Sequence, residues 1–228
     1  MAGLFVDLIP LILGATLAPI YPIIVLLLLQ SERGLGKATA FVAGAVAMRL
    51  VQGAIFGLVF GQAVEAETAA GLQLIAPTLL TVVGILLLVM GIRKWRKEED
   101  SEDNQPGWMS KLADLTVLKA AGGGMLMLLI GVKQWVFTLS AIAVIEEAQP
   151  GLTVGIAAYL LFVAATQLLA LPPIVAFAVA PEKSAKPLAA AQGWLQRHNR
   201  VIVIAVSFIF GVWFLFDGVT SLLAFRVP

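Results

Sequence analysis

The chain has 228 residues, 60% of them hydrophobic and 13% charged, with a formal net charge of +1 and no cysteine. Soluble domains carry about a quarter charged residues, and a mean hydropathy of +0.97 means more apolar surface than a domain of this length can hide from water, so its solvent is lipid. The near-neutral charge argues against a nucleic-acid partner, and the absence of cysteine excludes disulfides, thiolate metal sites and thiol redox chemistry.

The N-terminal run MAGLFVDLIPLILG lacks the basic region of a signal peptide and carries Asp7 in its place. The apolar stretch continues to Leu29 and reads as a membrane span. A helix needs about 20 residues to cross ~30 Å of hydrocarbon. Six stretches reach that length, at residues 8–30, 38–62, 71–92, 120–145, 152–180 and 201–224. Backbone groups in lipid must bond within their own segment, which makes these helices. The alternating ten-residue pattern of a transmembrane barrel is absent.

Span one contains ATLAPIYPIIV, with Pro19 and Pro22 near its centre; each proline removes a backbone donor and frees an upstream carbonyl. Span two carries Arg49 about 16 Å from its start, beside the small residues Gly44, Ala45, Gly53 and Gly57. The connection after span three, residues 93–119, opens with the mixed charges of RKWRKEEDSEDNQPG, a solvated linker. It continues with WMSKLADLTVLKA, whose Trp108, Met109, Leu112, Leu115 and Leu118 suit a short interfacial helix. Span four places Gly122, Gly123, Gly124 and Gly131 before Lys133 and Gln134. Thirteen uncharged residues precede that lysine and twelve follow it, which puts it at the midplane. Span five has Ala157, Ala158, Ala164 and Ala165, with Gln167 near its middle and Pro172–Pro173 beyond. PLAAAQGWLQRHNR, residues 187–200, suggests a second interfacial helix with a solvated His198. Span six carries Asp217 about 24 Å from its start.

Loop charges orient the spans. The first, third and fifth connections hold twelve basic residues, whereas the N-terminus, the second and fourth connections and the C-terminus hold only Arg226. The basic loops belong in the cytoplasm and both termini outside. Three spans on each side of the long connection give the halves opposite orientations, the arithmetic of an inverted repeat. The expected fold is all-α: a polytopic membrane protein of six helices in two inverted three-helix halves, residues 1–92 and 120–228, joined by 93–119.

Arg49 and Lys133 each cost roughly 2.5–3.5 kcal/mol at the bilayer centre, so each must meet an acid, a carbonyl or water. Asp217 could pair with either, or carry a coupling proton or ion. One cation then remains for the anionic group of a ligand. A guanidinium holds phosphate, sulfate or carboxylate through two parallel bonds, and an ammonium offers a point charge. The candidate substrate-binding residues are Lys133, Arg49, Gln134, Gln167, Pro19 and Pro22. Catalysis finds no support: Lys133 and Ser140 stand about 10 Å apart along a helix, too far for a Ser–Lys dyad. The spans hold too few acids for a metal site. Neither enzymatic activity nor a cofactor is expected. The partners are the lipid bilayer, a small-molecule or lipid substrate and, as an option, a second copy in a homodimer.

GWMSKLADLTVLKAAGGGMLMLLIGVKQWVFTLSAIAVI and GWLQRHNRVIVIAVSFIFGVWFLFDGV resemble the GAP family, the peptidoglycolipid-addressing proteins of the lysine-exporter (LysE) superfamily. ATLAPIYPIIVLLLL, a basic short loop and FVAGAVAM resemble that family's first two spans. Where the family carries Asn-Pro-Lys in span four, this chain has Gly131-Val132-Lys133; only the lysine matches. The resemblance implies a multi-pass transporter or transport accessory of the bacterial plasma membrane. Some relatives are linked to moving glycolipids or lipopeptides toward the cell envelope, and others in the superfamily export amino acids or cations. The Glu-x-Gly-Asp motif of the cation exporters is absent here. The sequence therefore points to an exporter of an anionic small molecule or amphiphile. The alternatives are an amino-acid or cation exporter and a non-transporting scaffold for an export complex.

Overall fold

An unpaired backbone group in hydrocarbon costs on the order of several kcal/mol, and this chain meets that constraint with helix. The computed structural model describes residues 2–16, 20–65, 69–96 and 114–224, and every regular element among them is helical. In chain order these are α1 (Ala2–Thr16), α2 (Ile20–Leu29), α3 (Gly34–Glu65), α4 (Ala69–Arg96), α5 (Val117–Ile130), α6 (Val132–Glu147), α7 (Leu152–Ala165), α8 (Leu171–Val179) and α9 (Pro181–Ala224).

Among the described residues three segments are long and apolar enough to cross a membrane: Gly34–Leu58 in α3, Pro77–Arg96 in α4, and α9. Two bent pairs pass the same test together, α1–α2 with a bend of 56° and α5–α6 with a bend of 72°; counting each pair as one span gives five among the described residues, not the six expected. The stretch expected as span five is divided between α7 and α8, and α7 is a shorter apolar helix of 14 residues. The chain is thus a membrane-embedded helical protein with several broken helices.

The breaks have local causes. Gly131 closes α5 by donating its N–H to the Met127 carbonyl, and its own carbonyl then accepts from Gln134 and Trp135 to open α6. A Cβ on Gly131 would stand 2.7 Å from the Met127 oxygen, so the chain turns there without a side chain. Trp135 donates its indole N–H to the Leu129 carbonyl at 2.6 Å, occupying an acceptor left near the end of α5. Between α7 and α8 the chain turns through Thr166 and Gln167, and Pro172 and Pro173 then lie in the first turn of α8, where a missing donor costs nothing.

Small residues set the closest helix contacts, as expected where packing rather than hydrophobicity holds membrane helices together. The α4–α9 pair is the most extensive. A side chain added at Gly84 or Gly218 would run into backbone of the opposite helix. The α3–α5 pair is the next most extensive; a Cβ on Gly44 would fall on the Ala121 carbonyl and one on Gly124 on the Phe41 carbonyl.

Two apolar clusters form the core. One joins α1, α4, α6, α7 and α9 through Leu8, Leu11, Leu87, Phe137, Phe162 and Phe214. The other joins α2, α3, α5, α8 and α9 through Ile24, Leu28, Phe41, Ala120, Ile174 and Leu188. Val46 on α3 packs against both.

The expected interfacial helices turn out differently. Trp108, Met109 and Leu112 lie outside the described residues; Leu115 is irregular, and Leu118 is an exposed residue of α5. Residues 187–200 are not a separate helix but belong to the 44-residue α9. Its Ser184, Leu188 and Gln192 are buried at one-turn spacing, and Gln192 is bonded to Gln30. That stripe rests on α2 and α8, so protein takes the place of the expected membrane surface.

Candidate functional site

The site forms where the two apolar clusters meet. Arg49, 3% exposed, points from α3 toward the start of α6. Its Nη1 donates to Thr138 Oγ1 at 2.9 Å, and its Nη2 donates to Gln134 Oε1 at 2.5 Å. Gln134 and Thr138 are one helical turn apart and so share a face of α6. The Thr138 hydroxyl in turn donates to the Gln134 backbone carbonyl at 2.9 Å, which aims the hydroxyl's lone pairs at the guanidinium. The guanidinium also lies 5.5 Å from the centre of the Phe162 ring, within cation–π range. Tyr159, one turn before Phe162 on α7, donates its hydroxyl to the Arg49 backbone carbonyl at 2.6 Å. Its ring fits against α3 because residue 53 is glycine; a Cβ there would overlap the ring.

Four helix ends surround this arginine. The last residues of α1, Ala15 and Thr16, the first turn of α2 at Tyr21, the first turn of α6 at Gln134, and the turn after α7 at Thr166 and Gln167 line one cavity with Arg49. Tyr21 donates its hydroxyl to Gln167 Oε1 at 2.9 Å, linking two of these ends. Gln167 Nε2 donates to Thr166 Oγ1 at 3.0 Å, and Thr166 donates to the Val163 carbonyl at 2.7 Å. The cavity encloses about 10 Å³, room for about one water.

The charge balance here is unusual. Among the described residues Arg49 meets no carboxylate; its partners are Thr138, Gln134 and the Phe162 ring. The starts of α2 and α6 bring partial positive charge and the ends of α1 and α7 bring partial negative charge that offsets it, so the guanidinium sets the sign of the site. The arrangement therefore favours an anion and opposes a metal cation, and among the described residues no group of acids or histidines is placed to hold a metal.

Of the residues singled out in the sequence, the structure brings Arg49, Gln134 and Gln167 to one cavity. Pro22 is buried in α2 beside Tyr21, and Pro19 lies outside the described residues. Lys133 does not line the cavity. It leaves α6 on a different face, with its Nζ 5.6 Å from the centre of the Phe137 ring. Asp217 pairs with neither cation: it is exposed on α9, whose main partner is α4. Phe214, one turn earlier, is the side chain that turns inward, against Phe137. Ser140, considered above with Lys133, has a buried hydroxyl with no partner among the described residues.

Sequence reasoning missed Tyr21, Tyr159, Thr138, Phe162 and Thr166. The tyrosines left a signal: the chain has only two, each within a span, and both bond at this site. Thr138 was readable as the residue one turn beyond Gln134.

Comparison with curated proteins gives no match, nor does comparison with solved structures. A family model described as Sap, sulfolipid-1-addressing protein, matches residues 8–220. That agrees with the peptidoglycolipid-addressing resemblance read from the span sequences, and because the match runs over nearly the whole chain, the protein belongs to the sulfolipid-1-addressing (Sap) family.

Proposed function

We propose that this protein is an exporter of the bacterial plasma membrane that moves an anionic, glycolipid-like amphiphile by alternating access, with Arg49 holding the anionic headgroup. The observation that carries this reading is the Arg49 guanidinium itself: buried, without a carboxylate among the described residues, and bonded to the neutral side chains of Gln134 and Thr138. Neutral partners can be exchanged for an anion at far lower cost than a carboxylate can. The family's description names a sulfolipid, and a sulfate suits a guanidinium through two parallel bonds.

An inverted repeat of three plus three spans is part of the proposal, on a lysine-exporter-like plan. The order of elements supports it. A bent pair, α1–α2, precedes α3 and α4; a second bent pair, α5–α6, precedes α7–α8 and α9. Discontinuous helices at matching places in two halves are how many carriers build a midplane site. In this reading the basic loops face the cytoplasm and both termini lie outside. Lys133, two residues after the break at Gly131, is turned away from the cavity against Phe137, so in this reading it meets the ligand only in another state of the transport cycle. Asp217 remains the candidate coupling group. A cation exporter fits less well, since among the described residues no acid lines the cavity.

A non-transporting scaffold is the second reading, favoured by one observation: the cavity has room for only about one water. Cysteine accessibility separates the two. The chain has no native cysteine, so a single Thr16→Cys variant reports on the cavity alone. An exporter passes through states in which membrane-impermeant thiol reagents reach that position from each side in turn, and sulfated ligand changes the labelling rate. A scaffold leaves it unlabelled from both sides.

A further inference from the structure

A second concavity lies beside the arginine, between α3, the end of α6 and the first half of α7. Its volume is about 740 Å³, within the ~300–1,000 Å³ that holds a small-molecule ligand. Leu50 and Leu58 on α3 and Ile156 and Leu160 on α7 provide apolar walls, and all four are exposed in the protein alone. Polar groups sit at its edges. Glu146 and Gln149 stand at the α6–α7 turn, and Tyr159, whose hydroxyl holds the Arg49 carbonyl, forms the wall on the arginine side.

The groove exists because small residues line both sides. A Cβ on Gly57 of α3 would meet nothing within 4 Å. A Cβ on Gly155 of α7 would meet only an Ile145 methyl carbon at 3.4 Å and Pro150 at 3.8 Å. Unlike Gly44 and Gly124, these glycines do not bring helices into contact; they leave space open.

Resting on the exporter reading above, we infer that this groove holds one hydrocarbon chain of the transported amphiphile while its anionic headgroup lies at Arg49. Charge complementarity selects the occupant and its direction. The groove is apolar along its length and carries a carboxylate, Glu146, at the turn end, which repels an anion there; the uncompensated cation stands behind the opposite wall at Tyr159. An amphiphile with an anionic head and an apolar tail matches that order.

The test uses the full chain in nanodiscs with two probes carrying a diazirine in the acyl chain: phosphatidic acid, which is anionic, and diacylglycerol, which is uncharged. After photolysis, labelled peptides are mapped by mass spectrometry. Labelling is expected to concentrate in residues 50–58 and 152–160 for both probes. Gly57→Phe and, independently, Gly155→Leu should each lower it about tenfold, roughly what displacing two methylenes is worth. Ile209→Phe, on an exposed position of α9, should leave it unchanged. Label spread evenly over the lipid-facing helices and indifferent to the glycine variants overturns the inference, as does crosslinking of α3 to α3 between copies with no acyl label. The headgroup reading is scored separately: Arg49→Met should weaken labelling by phosphatidic acid and not by diacylglycerol. If the glycine variants act and Arg49→Met has no effect on either probe, the groove stands and the arginine reading fails.

Discussion

Arg49 on α3 and Gln134 in the first turn of α6 are joined by a hydrogen bond of 2.5 Å from Nη2 to Oε1. That bond ties the one long helix that carries a buried guanidinium to a half-helix that begins at a glycine break. It stabilises a cation in the membrane without neutralising it, and the predictions below follow from that distinction.

Replacing Gln134 by glutamate places a carboxylate where the neutral oxygen now accepts from Arg49. The resulting ion pair occupies the guanidinium internally. Gln134→Glu should fold with unchanged or raised thermal stability in detergent, yet lose transport by about ten- to a hundredfold, the range of one charge-assisted hydrogen bond. A scaffold whose arginine is structural would tolerate or benefit from the change in every assay.

Arg49→Met removes the charge and keeps an unbranched apolar side chain. The change strands the buried Gln134 Oε1 and should cost about 1–3 kcal/mol of stability without unfolding the protein, while transport of an anionic amphiphile in proteoliposomes falls by at least about tenfold. Arg49→Lys keeps the charge but loses the two-pronged geometry and should retain partial transport. Loss of fold in Arg49→Met would mean that the guanidinium mainly holds the bundle together.

Tyr21 and Gln167 should behave as a pair, because the Tyr21 hydroxyl donates to Gln167 Oε1 at 2.9 Å inside the bundle. Tyr21→Phe strands a buried acceptor and should cost about 1–3 kcal/mol. Adding Gln167→Leu should cost less than the sum of the single changes, since removing both partners leaves less to satisfy. Equilibrium unfolding of the four variants of the cycle in mixed micelles measures this; strict additivity would show that the two groups are not coupled.

Two glycines of similar sequence context should respond in opposite ways. Gly44→Val drives a side chain into the Ala121 carbonyl at the α3–α5 contact and should destabilise by about 1–3 kcal/mol. Gly122→Ala, where a Cβ meets nothing within 4 Å, should be neutral or gain up to about 1 kcal/mol from helix propensity. Thermal unfolding in detergent separates them.

Much of this architecture is legible in the sequence because lipid allows so few solutions. Apolar length alone locates α3, α4 and the membrane part of α9, and glycine and proline locate the bends beside Gly131 and Gln167. Depth is legible too, since counting residues places Arg49 and the Lys133–Gln134 step at one level, and Gln134 does meet Arg49. Azimuth is what the sequence leaves open. Successive helical residues point about 100° apart, so Lys133 and Gln134 share a depth but not a face, and only Gln134 reaches the arginine. Asp217 illustrates the same gap: its depth admitted a pairing that the packing of α9 on α4 rules out. The continuous α9 was hidden for another reason. An amphipathic stretch rich in basic residues looks alike whether its apolar stripe meets headgroups or, as at Leu188 and Gln192, the protein's own helices.

The most direct measurement compares the affinity of the purified protein in nanodiscs for a sulfated glycolipid and for its desulfated counterpart, in the native chain and in Arg49→Met. The account predicts that the native chain prefers the sulfated form by at least about tenfold, one charge-assisted contact, and that the preference vanishes in Arg49→Met. An equal preference in both proteins would contradict it, because the anion would then be held somewhere other than at the buried guanidinium.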